Sequence, residues 1–357
     1  MQMCAGFAAA DAAVKLVARD PGPQRLATAD LQAHYDVPPV FDIEQRSMPR
    51  GVRASDTFQV QAVMQEHDRD DYICYTRGRD VLAAFIASSM RKSAAIEIHG
   101  LPVSLRERWM LKLINTNRHG RLVAISSHLK NIYCQEWGFQ NADFSVAPDG
   151  VNLDRFTPLM DRTEAREKIG LDPGRWVIYV GGLYKGRGLE ALFAAKADIS
   201  ANLLIVGGRD KSEVAAWRER AFDLGATNTH FSGYQPPSVI PTYLQAADVL
   251  VMPYAQRTQT PSGEDTTAWM SPLKMFEYMA AERPIVATNL PALQTVLRDS
   301  ENALLVPLGD PAALARAINR TLNEHALAHQ IATNARRAVT EFTWEARARK
   351  ILASLND

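Results

Sequence analysis

The sequence has little cysteine, no excess of either charge and no long hydrophobic run. Its three cysteines, Cys4, Cys74 and Cys134, are widely spaced and form no CxxC or Cys/His group, which argues against a disulfide framework or a zinc site. Its 40 basic residues balance 40 acidic ones, so composition does not favour nucleic acid as a partner. No apolar run approaches the roughly 18 residues that cross a bilayer. We therefore expect a reduced, cytoplasmic protein.

The start of the chain is apolar without resembling an export signal. "MQMCAGFAAADAAV" has no basic region at its beginning and is too short to be such a signal. It reads instead as the first helix of a fold, followed directly by the apolar run at 14–18. A doubly wound domain normally opens with a strand and a glycine-containing turn before its first helix. The sequence therefore predicts that the first domain lacks its opening strand.

From residue 72 onward, short apolar or β-branched runs alternate with helical patterns. This alternation is typical of βα units with parallel strands, and 357 residues suffice for two domains. The change between two such blocks falls near "APDGVNLDRFTP", where Pro148, Gly150 and Pro158 interrupt any helical period. Strands are predicted at 72–76, 94–98, 122–126, 144–147, 176–181, 202–207, 229–233, 248–253, 284–288 and 303–307.

Eight segments in order carry a resemblance to a known family. They are "IEIHG", "VAPDGVNLDRFTP", "VIYVGGLYKGRGLEAL", "LLIVGG", "HFSGYQPPSVIPTYLQAADVLVMPY", "SPLKMFEYMAAERPIVAT", "NALLVPLGDPAALARAINRTL" and "FTWEARARKIL". Together they resemble the retaining GT-B glycosyltransferases of glycosyltransferase family 4 (glycosyl transferases group 1), from about residue 94 to the end.

The resemblance implies an α/β fold of two facing Rossmann-like domains. The acceptor-side domain would span 1–153 and the nucleotide-sugar donor domain 154–340. A C-terminal helix within 341–357 would pack back on the first domain, with Trp344 as its anchor.

One helical stretch carries a cation and a carboxylate one turn apart, Lys274 and Glu277. By themselves they fit a solvated ion pair. The resemblance implies instead that Glu277 binds the ribose hydroxyls and Lys274 the donor diphosphate, at a helix N-terminus whose amides favour anions. Ser271 is expected to cap this helix, with Pro272 as its first residue.

Two positions depart from the family pattern. Trp269 stands where the family has a glutamate that contacts the donor sugar, so Trp269 is expected to stack on the sugar, with Glu264 or Asp265 as alternatives. Gly182 stands where the family has a diphosphate-binding arginine.

Arg187 matches the position of the second diphosphate-binding cation of the family, and a guanidinium suits that role. Lys185 is an alternative source of the cation that Gly182 does not provide. Tyr234, in the turn that corresponds to the family's base-binding turn, is expected to cover the base.

Acceptor residues are expected where two strands of the first domain end. His99 follows "IEI" at a position where the family often has histidine, and an imidazole there could take part in proton transfer. Glu97 would share a strand face with His99 and orient its ring. Arg77 and Tyr75 end the preceding strand and are candidates for acceptor or interdomain contacts.

The function implied is transfer of a sugar from a nucleotide diphosphate sugar, UDP or GDP, to an acceptor hydroxyl. His99, Arg187 and Lys274 would be catalytic, with no metal and no cofactor. The acceptor would be a glycan, a lipid-linked sugar or a small molecule. An inactive partner subunit and a sugar-nucleotide epimerase are the alternatives.

Membrane contact is a further expectation. The basic amphipathic stretch 104–121 would support peripheral binding at the inner face of the membrane if the acceptor is lipid-linked. An ordinary surface helix is the alternative.

Overall fold

The computed structural model describes the whole chain except residues 23–24, 50, 52, 67–71, 79, 141–143, 259–264 and 357. The chain forms two compact units: unit 1 is Met1–Asp149 with Trp344–Asp357, and unit 2 is Gly150–Thr343. The C-terminal helix therefore belongs to the unit in which the chain begins.

Unit 1 contains parallel strands interspersed with helices. Its strands are β1 (Lys15–Arg19), β2 (Asp42–Arg46), β3 (Cys74–Arg77), β4 (Ala94–Ile98), β5 (Gly120–Ala124) and β6 (Phe144–Val146). Its helices are α1 (Gln2–Ala9), α2 (Thr28–His34), α3 (Ala54–Met64), α4 (Val81–Ser89), α5 (Leu105–Thr116), α6 (Ser127–Asn131), a π-helical turn (Ile132–Glu136) and, after the passage through unit 2, α15 (Trp344–Asn356).

The strands of unit 1 lie in two parallel sheets. One has β1 beside β2, and the other has the order β3-β4-β5-β6. Among the described strands none joins the two sheets, so β1 and β3 both lie at a sheet edge. The residues of β4 are all buried, as expected of a parallel strand covered on both faces. The predictions missed β2, because "DIEQR" has Ile43 as its one apolar residue.

Unit 2 also alternates parallel strands with helices. Its strands are β7 (Trp176–Val180), β8 (Asn202–Val206), β9 (Thr229–Gly233), β10 (Val249–Met252), β11 (Ile285–Thr288) and β12 (Leu304–Val306). Its helices are α7 (Arg162–Ile169), α8 (Leu189–Ala195), α9 (Lys211–Asp223), α10 (Ile240–Gln245), α11 (Leu273–Ala280), α12 (Pro291–Gln294), α13 (Pro311–Asn323) and α14 (His325–Ala338), with 3₁₀ turns at Leu153–Phe156, Lys196–Asp198, Pro237–Val239 and Val339–Phe342.

Local sequence signals explain where several of these helices begin and end. Asp161 accepts a hydrogen bond from the Thr163 amide (2.8 Å) at the start of α7, which ends at Gly170 in the left-handed conformation. Asp310 caps α13 in the same way through the Ala313 amide (2.8 Å), with Pro311 as the first helical residue.

The sheet of unit 2 is parallel, with the order β12-β11-β10-β7-β8-β9. The chain runs outward from β7 to β9 and then returns to the other side of β7 with β10. Ligands favour such a reversal of strand order, at the carboxyl ends of the strands. Hydrophobic clusters pack on both faces of this sheet.

The strands predicted from residue 72 onward are all confirmed, with ends displaced by about two residues at most. The apolar run at 14–18, for which no strand was predicted, forms most of β1, which begins at Lys15. The apolar N-terminal stretch forms α1, as predicted.

Candidate functional site

In the sheet of unit 2, the strand order changes direction between β7 and β10, and three segments surround the carboxyl ends of these two strands. The loop 181–188 follows β7, Tyr254 follows β10, and α11 follows the next loop. Tyr278 of α11 fastens the helix to β7, because its hydroxyl accepts a hydrogen bond from the Val180 amide (2.7 Å) and donates to the Val180 carbonyl (3.2 Å). This bond places the first turns of α11 beside the end of β7.

Lys274 extends from the first turn of α11 to the loop after β7. Its ammonium Nζ is buried, lies 3.8 Å from the centroid of the Tyr179 ring, and has no hydrogen-bond partner within the described residues. Burial and the charge of Arg187 lower the pKa of Lys274 well below its usual value, against the opposing influence of Glu277. A buried donor of this kind is suited to an anion that supplies its missing acceptors.

Arg187 lies beside Lys274 in an aromatic setting. Its guanidinium carbon lies 4.7 Å from the centroid of the Tyr184 ring and 5.4 Å from that of Tyr254, and Nη1 donates a hydrogen bond to the Tyr254 hydroxyl (3.2 Å). The Lys274 ammonium lies 5.7 Å from the same Tyr254 ring, so the two cations share an aromatic neighbour. Arg187 Nε is a second buried donor without a partner in the described part of the chain.

Glu277 lies one turn further along α11. Arg155, from the 3₁₀ turn Leu153–Phe156, approaches the Glu277 carboxylate (Nη1 to Oε1, 3.5 Å) and donates from Nη2 to the Pro237 carbonyl. Burial raises the pKa of Glu277, while Arg155 and Lys274 oppose that increase. Its side chain is 25% exposed, so the carboxylate can accept hydrogen bonds from a ligand as well as from Arg155.

Two glycines of the loop 181–188 are required by the backbone conformation and by close packing against neighbouring backbone. Gly186 and Gly188 have positive φ angles of 91° and 77°. A Cβ atom on Gly186 would overlap the carbonyl oxygen of Arg257, and one on Gly188 that of Pro253. Backbone packing within the protein therefore accounts for these two glycines without a ligand.

Gly181 has a different neighbour. A Cβ atom there would overlap the Lys274 ammonium, so this glycine leaves the space that Lys274 occupies. Gly182, in the same loop, accepts a hydrogen bond from the Tyr179 hydroxyl through its carbonyl (2.8 Å). Lys185, the alternative cation, is exposed.

The structure corrects the predicted start of α11. Pro272, with ψ of 121°, occupies the N-cap position, no side chain caps the helix, and Leu273 is the first helical residue. Ser271 is therefore not the N-cap. The reason is that Pro272 keeps an extended ψ of 121° and so does not adopt the helical conformation, and the helix begins one residue later than expected.

The other residues predicted to bind the nucleotide-sugar donor lie in the segment before α11 or after β9. Trp269 is half-buried in a turn in which its amide donates to the Thr266 carbonyl (3.0 Å). Asp265 is engaged locally by the amide and hydroxyl of Thr267 (3.0 and 2.6 Å), and Glu264 lies outside the described residues. Tyr234 follows β9 and is 61% exposed, a position open to a stacking ligand.

In unit 1, His99 and Arg77 meet at the carboxyl ends of β4 and β3. His99 Nε2 lies 2.9 Å from Arg77 Nε and forms a hydrogen bond with Glu97 Oε1, as predicted for Glu97. Glu97 also accepts from the Tyr75 hydroxyl and pairs with Arg347 of α15 (2.7 Å).

Trp344, the expected anchor of α15, is half-buried, and its backbone and Cβ lie against Gly6 of α1. Arg347 of the same helix is 5% exposed and makes the polar contact with β4.

Sequence reasoning missed Arg155, Tyr179, Tyr254 and Arg347. Tyr254 could have been found, because it lies two residues after β10, at the carboxyl end of a predicted strand. The other three are recognised only by contacts between residues distant in sequence.

No group of three or more His, Cys, Asp or Glu side chains within the described ranges is placed to hold a metal ion. Across the same ranges, none of the helices is long and apolar enough to span a membrane.

Solved structures share the fold of the whole chain. Anabaena Alr3699/HepE in complex with UDP matches with a TM-score of 0.73 at 17% identity, covering 96% of this chain and 99% of that one. Sucrose-phosphate synthase from Thermosynechococcus elongatus matches with a TM-score of 0.73 at 24% identity, covering 99% and 90%. These likenesses establish the GT-B fold: α/β, with parallel sheets in two domains.

Sequence comparisons point to the same class. Residues 174–324, within unit 2, match the model of the family described as Glycosyl transferases group 1. A D-inositol 3-phosphate glycosyltransferase of Corynebacterium urealyticum is 28% identical over 225 residues, which are 59% of this chain and 50% of that protein. The chain spans about half the length of the curated relatives it matches.

Proposed function

We propose that the protein is a glycosyltransferase that uses a nucleotide diphosphate sugar as donor. The observation that carries this proposal is the buried Lys274 ammonium, without a hydrogen-bond partner in the described residues, beside Arg187 at the reversal of strand order. Both residues lie within the segment 174–324 that matches Glycosyl transferases group 1. The UDP complex of HepE supports a nucleotide as the ligand class.

In this proposal the two cations act on the leaving group. As the glycosidic bond breaks, negative charge develops on the diphosphate, and Arg187 and Lys274 stabilise the transition state by meeting that charge. Two protein cations at this point support a metal-independent reaction. We further propose retention at the anomeric carbon, on the resemblance to family 4 alone.

The remaining donor contacts follow the same residues. Glu277 would accept hydrogen bonds from the ribose hydroxyls, since an ionised carboxylate suits two neighbouring hydroxyl groups. Tyr234 would stack on the base, and Trp269 and Ser271 would lie near the sugar and phosphates. Gly182 would contribute backbone space and no charge.

On the acceptor side, His99 and Arg77 of unit 1 would bind the acceptor hydroxyl and its surroundings. Arg77 has a side chain that is 64% exposed, with Nε directed to His99. A guanidinium of this kind suits a phosphate group, and inositol 3-phosphate, the substrate in the names of the curated relatives, is the first acceptor to screen.

Helix α5 supports a further proposal, peripheral contact with a membrane that carries a lipid-linked acceptor. Leu105 and Trp109 are 85% and 59% exposed on this helix. Arg106 pairs with Asp56 (2.7 Å) and Arg108 stacks on Trp137 (4.9 Å), so exposed apolar side chains rather than these cations favour the membrane.

Nucleotide binding tests the donor site. In calorimetric titrations with UDP, GDP, ADP and their sugar conjugates, we expect one base to bind, and Glu277→Ala to weaken that binding roughly 10- to 100-fold through loss of charge-assisted hydrogen bonds. Glu324→Ala is the matched control, because Glu324 is exposed and paired with Arg320 at the end of α13.

The outcomes separate the alternatives. A folded protein that binds none of these nucleotides would favour the inactive partner subunit. Binding that Glu277→Ala leaves unchanged would mean that Glu277 is a structural partner of Arg155. Interconversion of the sugar nucleotide without an acceptor would favour the epimerase.

A further inference from the structure

A pair of opposite charges is buried in unit 1, between α15 and β4. The side chains of Arg347 and Glu97 are 3% and 2% exposed, and Nη1 lies 2.7 Å from Oε2. Arg347 also donates from Nε to the Pro148 carbonyl (2.8 Å) and from Nη2 to the Ala147 carbonyl (3.1 Å). Burying charges is costly unless they are paired and hydrogen-bonded, and here both conditions are met.

Glu97 is surrounded by donors from three elements. Tyr75 of β3 donates its hydroxyl to Oε2, the same oxygen that Arg347 of α15 contacts, and His99 at the end of β4 bonds to Oε1. Burial opposes ionisation of Glu97, but the hydrogen bond from His99 and the charge of Arg347 outweigh it and lower its pKa. The carboxylate is therefore an acceptor toward His99.

The same nitrogen of His99 has two competing neighbours. Glu97 Oε1 favours a proton on Nε2, whereas Arg77 Nε, 2.9 Å from Nε2, would require that nitrogen to be an acceptor. The same Arg77 Nε lies 3.5 Å from Glu97 Oε1, but its side chain is 64% exposed, so its charge is screened more than that of buried Arg347. Asp149 is a further titratable group near Glu97 and His99; burial raises its pKa, against the nearby charge of Arg347. Which neighbour prevails depends on whether Glu97 keeps its negative charge.

We propose that Arg347 is a positioning residue: it keeps Glu97 ionised, and Glu97 in turn holds the His99 ring with its proton on Nε2. The ring is thereby left with Nδ1 as its acceptor nitrogen. The role of this nitrogen in moving the acceptor proton rests on the proposed function, whereas the arrangement itself does not. The C-terminal helix thus determines the tautomer of a residue at the end of β4.

The test is the position of the imidazole proton in the full chain. ¹⁵N-labelled protein is studied by NMR across a range of pH, and the tautomer is read from the ring-nitrogen shifts once they no longer change with pH, with the His99 signals assigned through His99→Gln. We expect the Nε2–H tautomer in the unchanged protein. In Arg347→Met the buried carboxyl takes up a proton and becomes a donor, so the His99 proton should move to Nδ1. Arg347→Lys keeps the charge and should restore the Nε2–H form.

Controls separate this effect from general damage to α15. Arg349→Met alters an exposed arginine of the same helix, which pairs with Glu345, and should leave the tautomer unchanged. If Arg347→Met does not fold, Glu97→Gln replaces the carboxylate by an amide of the same shape. Arg347, a donor, then takes the amide oxygen at the Oε2 position, so the amide NH₂ faces His99 and the proton should leave Nε2. An unchanged Nε2–H signal in the folded Glu97→Gln protein would overturn the proposal, as would an equal shift in Arg349→Met.

Nucleotide affinity, measured in the same samples, depends on residues of unit 2. Absence of nucleotide binding would overturn the proposed function. The positioning role of Arg347 would then be judged from the tautomer of His99 alone.

Discussion

Lys274 carries its amino group where water does not reach it. The cost of a buried ammonium falls if the group loses its proton, and the lowered pKa of Lys274 expresses this. Tyr179 offsets part of the cost through the face of its ring, 3.8 Å from Nζ. A bound diphosphate would offset more, because it supplies both negative charge and acceptors.

Proton uptake should therefore accompany nucleotide binding. A phosphate beside Lys274 raises its pKa from the lowered value toward 10.5, and between the two values binding takes up as much as about one proton. Affinity should then fall as pH rises through this window, at most about tenfold per pH unit. Calorimetry in buffers of different ionisation enthalpy measures the uptake.

The matched variant is Lys274→Met, which should bind more weakly and show no uptake from this group. Uptake of the same size in both proteins would assign the proton to another residue and contradict the prediction.

At the scale of elements, the loop between β7 and α8 carries Arg187 and lies against Lys274 at the carboxyl end of β7. Its backbone passes so close to the segment after β10 that Gly188, with φ of 77°, leaves no space for a side chain beside the Pro253 carbonyl. This close packing holds Arg187 against Tyr254.

Gly188→Ala should consequently destabilise the protein by roughly 3 kcal/mol or more, from backbone strain and steric overlap together. Gly225→Ala is the control, because Gly225 has the same φ of 77° but nothing within 4 Å of an added Cβ. It should cost only about 1 kcal/mol. Denaturant unfolding of both variants measures the difference, and equal losses would show that steric overlap contributes nothing.

For the whole molecule, the chain forms two units with cores of their own, and α15 returns to unit 1. On the surface of unit 1, Leu105 and Trp109 of α5 are exposed apolar side chains that are not buried in the core of the unit. Contact with a lipid-linked acceptor would give these side chains a use.

Sedimentation with anionic phospholipid vesicles tests membrane contact. We expect the unchanged protein to sediment with them and Leu105→Ser/Trp109→Ser to bind them with roughly 100-fold lower affinity or less, since each apolar side chain removed from water contributes about 1.5–3 kcal/mol. Phe222→Ser, which removes a 71% exposed apolar side chain from unit 2, should have no effect. Equal sedimentation of all three proteins would remove the membrane proposal.

The sequence by itself determined the elements of the fold and their order. Parallel strands buried on both faces appear as short apolar runs, so β4, β7 and β10 could be found without coordinates. The strand β2 could not, because its stability depends on pairing with β1 rather than on its own apolar residues.

The site was predictable where a local signal exists. Lys274 and Glu277 share a helix, and Arg187 belongs to a glycine-rich loop, but their spacing alone fits a solvated ion pair and an ordinary turn. The resemblance to a known family singled these residues out. Their proposed roles as ligand-binding groups remain predictions that nucleotide titrations will test.

The tertiary structure alone decided which charges are buried and what they contact. Arg155 reaches Glu277 across 122 positions, and Arg347 reaches Glu97 across 250. Neither pair has a local pattern, because an ion pair needs only two side chains brought within about 4 Å, wherever they lie in the chain. The charge of Lys274 is likewise a property of its surroundings: the sequence specifies an amine, and burial determines how readily it keeps its proton.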